Sequence, residues 1–242
     1  MENEFLDVGI SSVRIAQKEI LKFYNNEKPE NLDIDKFIEE VIKSYILKVF
    51  PSHNFDGEET AFTNNNSNYT WYCDPIACSI NFYCDIPHFA ICLSLFKNEN
   101  CVLGIVLDPV TNELFYADEK SAYLNDKRLV ASNEINLENK FFCCSSKYDY
   151  DKLNLIQNEF NMYHKLPGSW GLSFAWTGGR KFIFVFGKLK DIYGTAPGIY
   201  IAQKSGCYIK DYEGNDWSKN SKNIIICQNK KIYDKVKNFI LR

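Results

Sequence analysis

The sequence predicts a mixed α and β fold, with helix-forming and strand-forming segments interleaved along the chain. Two long stretches near the N-terminus repeat apolar residues at helical spacing. After Pro51, short runs rich in Val, Ile, Leu, Phe and Tyr recur between turn residues. In the second half such runs alternate with further helical stretches.

Residues 3–24 bring Phe5, Val8, Ile15, Ile20 and Phe23 near one broad face. Residues 33–49 do the same with Ile34, Phe37, Ile38, Val41, Ile42, Tyr45, Ile46 and Val49. Asp33 and Asp35 stand at its start, where a carboxylate can accept from free backbone N–H groups, and Pro51 ends it. NNNSN at 64–68 reads as a flexible polar loop. WYCDPI at 71–76 is a short buried strand running into a proline turn, and HFAICLSLF at 88–96 is a second strand. CVLGIVL at 101–107, the turn DPVTN and ELFYA at 113–117 form a hairpin. FFCCSS at 141–146 opens the latter half as a buried strand, followed by a helix over 153–163. WGLSFAWTGG at 170–179 is a helix stopped by two glycines, and KFIFVFG at 181–187 is a core strand. APGIYIAQKSG at 196–206 is a helix begun by Pro197 and closed by Gly206. CYIKDYEG opens a hairpin, NIIICQN is a strand and KKIYDKVKNFI a final helix. The polar segment ASNEINLENK divides an α+β half, 1–135, from an α/β half, 136–242.

The chain of 242 residues is 45% hydrophobic, 15% aromatic and 24% charged, which suits a folded domain with a sizeable core. A net charge of −3 excludes a protein held on nucleic acid by charge alone. The N-terminus lacks the basic-then-apolar order of a signal peptide, and FAICLSLF at 89–96 is too short to span a bilayer. A soluble, cytoplasmic protein with no membrane contact is expected. Nine cysteines without a secretory signal read as reduced, buried, small apolar residues. Cys73, Cys78, Cys84 and Cys92 have no zinc-module spacing. His53, His88 and His164 read as structural.

Several segments in fixed order bear on chemistry. They are PSHNFDGEET (51–60), WYCDPI (71–76), INF (80–82), GIVLDPVTNELFYA (104–117), AYLND (122–126), GS (168–169) and APGIYIAQKSG (196–206). Together they resemble the inositol monophosphatase family, over roughly residues 5–242. That resemblance implies a Mg²⁺-dependent, lithium-sensitive phosphomonoesterase of sugar and nucleotide phosphates. It also implies a layered α/β/α/β/α sandwich and a homodimer. Mg²⁺ wants hard oxygen ligands, so such a site needs clustered carboxylates.

Carried over by position, the resemblance makes Glu58 a metal ligand and water-orienting base, and Asp74 the bridging ligand. Ile76 offers its carbonyl to the first metal. Ser79 takes the place of the hydroxyl that helps activate water, with Asp35 as its partner, although either residue also suits a helix cap. Cys78, Ser79, Gly168 and Ser169 fall on the substrate and phosphate turns, with a bulky Trp170 next to them. Two family carboxylates are missing: D-P-I-D-G-T reads D-P-I-A-C-S, placing Ala77 and Cys78 there, and the later W-D reads Tyr193–Gly194. Asp191 is the nearest carboxylate to the second loss. One weakly held Mg²⁺ is therefore expected at most. Two functions follow. The first is a degenerate, impaired or inactive member that binds a phosphorylated small molecule or a protein partner, as with bacterial relatives linked to transcription. The second is an active phosphomonoesterase of inositol phosphate or a related sugar phosphate, with Asp191 or water replacing the lost ligands. Cys78 is either a reactive thiol or a buried one.

Overall fold

The computed structural model of the protein describes residues 2–24, 26, 28–144 and 150–241. Among them are seven helices and twelve strands in two sheets. Ser145 and Ser146, the end of the strand expected over 141–146, lie outside the described residues.

Helices α1 (Glu2–Tyr24) and α2 (Ile34–Val49) pack on each other and on the first sheet. In α1 the buried stripe is Val8, Val13, Ala16 and Ile20, while Ile15 stays half-buried. In α2 the buried stripe narrows to Ile34, Ile38, Ile42 and Ile46, one residue per turn, and Phe37 and Val49 are exposed. The Asp33 carboxylate caps α2 by accepting from the Lys36 N–H at 3.1 Å. Phe50 closes the helix just before Pro51.

The first sheet runs in chain order: β1 (Asn54–Gly57), β2 (Tyr69–Ala77), β3 (Ala90–Lys97), β4 (Asn100–Asp108), β5 (Glu113–Ala117), β6 (Ala122–Leu124) and β7 (Lys127–Leu129). All neighbours are antiparallel except β1 and β2, which are parallel with Gly57 opposite Cys73. β2 does not stop at the proline turn expected from WYCDPI. It continues through Pro75 to Ala77, with a register shift between Asp74 and Ala77. β3 is buried on both faces, which explains its unbroken apolar run.

The second sheet has the order β11 (Tyr208–Lys210), β12 (Asn223–Cys227), β10 (Phe184–Lys188), β8 (Phe141–Cys144) and β9 (Tyr163–Lys165). The helix expected over 153–163 is α4 (Tyr150–Phe160), which stops short of residue 163, and Tyr163 begins β9. Period-two alternation assigns the faces. Phe142, Phe184, Phe186 and Ile225 pack under α4 (Tyr150–Phe160) and α7 (Lys230–Leu241). Cys143, Val185, Ile224 and Ile226 pack under α5 (Trp170–Gly178) and α6 (Ala196–Lys204).

The other side of α5 and α6 packs on the first sheet through Leu172, Ala175, Tyr200 and Ile201 against Cys92, Val106 and Phe115. Five layers result: α1 and α2, a sheet, α5 and α6, a sheet, α4 and α7. This is the α/β/α/β/α sandwich expected from the sequence. The middle layer is tight because Gly104 has no side chain, and a Cβ there would lie 2.8 Å from the Pro197 carbonyl oxygen.

Two expected structural histidines have structural partners. The Trp71 indole N–H donates to His53 Nδ1 at 3.1 Å, and burial lowers the His53 pKa, favouring the neutral acceptor. His164 Nε2 sits 3.2 Å from Cys144 Sγ. The nine thiols are free, and six of them are buried.

Candidate active site

Glu58 follows the last residue of β1 and Asp74 lies beside it in the parallel neighbour β2, and the Glu58 N–H donates to the Cys73 carbonyl at 3.0 Å. Beneath the Gly57–Glu58–Glu59 turn lies Glu39 of α2, fully buried, whose Oε2 accepts from the Glu59 N–H at 2.9 Å. A Cβ at Gly57 would run into the Glu39 carboxyl, so the turn requires glycine there. Asp74 is 7% exposed and its Oδ1 accepts from the Ile76 N–H at 3.1 Å.

After Ala77 the chain turns sharply. Cys78 takes a left-handed conformation, φ 75°, at the N-cap of the short helix α3 (Ser79–Tyr83). Ser79 is thus the first helical residue rather than the cap. Asn81 ties this turn to the substrate loop by donating to the His88 and Pro167 carbonyls at 2.7 and 2.9 Å. At Gly168, φ +106°, a Cβ would stand 2.7 Å from Cys78 Sγ. Burial pushes the Cys78 thiol up, against the hydrogen bond from the Asn81 N–H, and Asp74 adds to the rise.

The third wall is the segment 189–195, which leads into α6. The Asp191 Oδ1 accepts from the Gly194 N–H at 3.1 Å, and the Asp191 carbonyl accepts from the Thr195 hydroxyl. Tyr193 turns away and donates to Asp56 Oδ1 at 3.2 Å. Lys190 Nζ stands 3.4 Å from Glu58 Oε1 and 3.9 Å from Asp191 Oδ2.

These walls enclose one open cleft of about 290 Å³. Asp35, Glu58, Asp74, Ile76, Ala77, Cys78, Ser79, Gly168 and Gly194, expected from the sequence, all line it, together with Asp191. Ser169 is different. It is 1% exposed, and its hydroxyl caps α5 by accepting from the Leu172 N–H at 3.3 Å; Gly168 and Trp170 form the cleft wall beside it. The expected Ser79–Asp35 pair is also absent among the described residues, because Asp35 Oδ2 accepts instead from the Tyr83 hydroxyl at 2.9 Å.

The electrostatics are those of crowded carboxylates. The Asp74 carboxyl is held well above the usual range by burial, then by Glu58 and Asp191. Glu59 is pushed up to about 7 by burial and by Asp35, Glu58 and Glu39. Burial also raises Asp35, against the Tyr83 hydrogen bond. Lys190 is raised, chiefly by Glu58.

Over residues 10–239 the sequence matches the inositol monophosphatase family. The chain belongs to that family. A fructose-1,6-bisphosphatase/inositol-1-monophosphatase of Thermotoga maritima is 31% identical over 207 residues, spanning 84% of this chain and 79% of the relative. A Nus factor SuhB of Pseudomonas aeruginosa is 26% identical, spanning 76% and 72%. The solved extragenic suppressor protein SuhB of Bartonella henselae superposes with a TM-score of 0.89 at 23% identity, covering 99% of this chain and all of that one. A solved Thermotoga maritima inositol monophosphatase gives 0.85 at 25% identity, covering 98% and 96%.

Inositol monophosphatases are Mg²⁺-dependent in general, and the donors in this cleft suit that ion: carboxylate oxygens and the Ile76 carbonyl, with no soft ligand required. Asp74, nearly buried and strained by like charges, is the kind of group that a cation relieves. Among the described residues, no three His, Cys, Asp or Glu side chains are gathered tightly enough to hold a metal by themselves. Glu39 and Lys190 escaped the sequence reading. The available signal for Glu39 was weak: it is one of six charges on α2, set apart only by lying next to the Ile38–Ile42 stripe.

Proposed function

We propose that the cleft binds an inositol or sugar phosphomonoester with one cation position of the family's two preserved, and that hydrolysis there is slow. The observation supporting this reading is the pair of bare positions around Asp74: a hydrogen at Gly194 and a methyl at Ala77. Glu58, Asp74 and the Ile76 carbonyl would hold one hydrated Mg²⁺, which supplies charge neutralisation for the phosphate and an acidified water. Glu58 would orient the attacking water, and Ser79 lines the cleft at the phosphate turn with a hydroxyl free of Asp35. The leaving oxygen lacks the second ion's stabilisation, which is worth several kcal/mol, so a deficit on the order of 10³-fold is expected.

A second reading, hydrolysis at a full enzymatic rate, has one observation in its favour. The point where a Gly194 Cβ would stand is 2.6 Å from Asp74 Oδ2 and 3.8 Å from Asp191 Oδ1, so Asp191 approaches the vacated corner.

Phosphate release from inositol 1-phosphate and p-nitrophenyl phosphate, with Mg²⁺ and with Mn²⁺, separates the two. Slow wild-type turnover that rises in the Ala77→Asp, Gly194→Asp double variant supports the first reading. Wild-type turnover near ~10 per second, abolished by Glu58→Gln, overturns it.

The expected homodimer has a suitable face. An apolar hollow of about 620 Å³ is lined by His88, Phe141, Leu166, Pro167, Trp176 and Phe182, with Phe141 and Leu166 exposed. Sedimentation of the wild type against Leu166→Glu tests it. Among the described residues no helix is long and apolar enough to cross a membrane.

A further inference from the structure

Five carboxylates line the cleft: Asp35, Glu58, Glu59, Asp74 and Asp191. They would repel a phosphate dianion unless cations offset them. Among the described residues, Lys190 is the one basic side chain lining it. It projects from the segment that carries Gly194 in place of the missing carboxylate. Its ammonium lies 3.4 Å from Glu58 Oε1 and 3.9 Å from Asp191 Oδ2, between the two loops. The side chain is 81% exposed, so it stands at the mouth, where an incoming phosphate meets it, rather than beneath the carboxylates.

We propose that Lys190 supplies, as a built-in ammonium, the positive charge that a second metal ion would otherwise bring to the phosphate. The inference rests on the reading of the cleft as a phosphomonoester site. One divalent cation and one lysine then face the anion from two sides. Loss of the carboxylate at position 194 removes a ligand for a second ion. Lys190 needs no such ligand, because its charge is carried covalently by the chain. An ammonium forms charge-assisted hydrogen bonds to phosphate oxygens but has no empty coordination site, so it holds the group without acting as a Lewis acid. The same ammonium competes with Mg²⁺ for Glu58, 3.4 Å away. Removing it therefore acts in opposite directions on the two ligands, which a merely structural role would not do.

Isothermal titration with Mg²⁺ alone, and with inorganic phosphate at saturating Mg²⁺, tests this on wild type, Lys190→Met and Lys190→Arg. Lys190→Met is expected to weaken phosphate by about tenfold or more and to tighten Mg²⁺ by roughly two- to fivefold. Lys190→Arg should keep phosphate affinity within about threefold of wild type, since the charge remains. Unchanged phosphate affinity in Lys190→Met, or weaker Mg²⁺ binding, overturns the role of Lys190 while leaving the cleft a phosphate site. Failure of the wild type to bind phosphate at any Mg²⁺ concentration overturns both.

Discussion

Gly194 faces Asp74 so closely that a Cβ at position 194 would lie 2.6 Å from Asp74 Oδ2. The obstacle is the end of a side chain rather than backbone, so Asp74 can rotate to admit it. An aspartate there would also set two carboxylates against each other. Gly194→Asp alone should lower the melting temperature in chelator and regain it with Mg²⁺. With Ala77→Asp added, Mg²⁺ stoichiometry should rise from one to two and phosphate release by on the order of 10³-fold, read by titration and by a phosphate assay.

Cys78 holds a left-handed backbone conformation, φ 75°, that costs a residue with a Cβ about 1–2 kcal/mol. Its Sγ packs near Gly168 and Asn81, so the clean comparison is between two variants that both lack the sulfur. Cys78→Gly should be more stable than Cys78→Ala by about 1 kcal/mol in urea unfolding. Equal stability would mean that the turn relaxes away from this geometry.

Glu39 is buried beneath the Glu58–Glu59 turn and accepts the Glu59 N–H. Glu39→Ala leaves that donor without its partner and should cost about 1–3 kcal/mol. Glu39→Gln keeps an acceptor of the same shape and removes a buried charge, so its cost should be well below that of alanine. Mg²⁺ affinity should follow the same order, because Glu58 rides on the braced turn.

Part of the pH dependence of the metal-free protein follows from Glu59, with the raised Asp74 and Asp35 carboxyls adding to it in the same direction. The Glu59 carboxyl, pushed up to about 7 from 4.5, keeps a proton in the folded state that the unfolded chain has already released between those values. Stability from this group is therefore full at low pH, falls as pH rises through that window, and is flat above it. Melting temperatures measured in chelator from pH 4.5 to 8 should show a smaller decline for Glu59→Gln than for wild type. Parallel curves would remove Glu59 as a source.

The layered fold was legible because the apolar runs carry it: β3 and β10 are continuous in sequence and fully buried in the sheets, apart from an exposed lysine at the end of each. β1 and β9 were not legible. They have only four and three residues, too few to show a period, and their pairing is fixed by neighbours distant in sequence. Most cleft residues were legible from motif order. Ser169 was misplaced because the same serine suits a substrate loop and a helix cap, and only burial decides between them. Asp35 was matched to Ser79 because nothing in the spacing announces that Tyr83, one helical turn further on, reaches the carboxylate first.

The parallel pairing of β1 with β2 has a consequence for how this site tolerates change. Strand-to-strand spacing, about 4.8 Å, gauges the distance between the backbones that carry Glu58 and Asp74. The chain joining those strands is itself pinned at Thr63, which exchanges two backbone hydrogen bonds with Phe55 at 2.8 and 3.0 Å, so a change of length is tolerated only outside that pair. What β1 cannot do is slip, since a shift of one residue would turn Glu58 to the opposite face. Asn54 guards against that: its side chain accepts from the Asn65 and Ser67 N–H groups and donates to the Ser67 carbonyl and the Thr70 hydroxyl. The asparagine-rich loop thus works as a latch on alignment, and drift in its composition is constrained at its anchor rather than along its length.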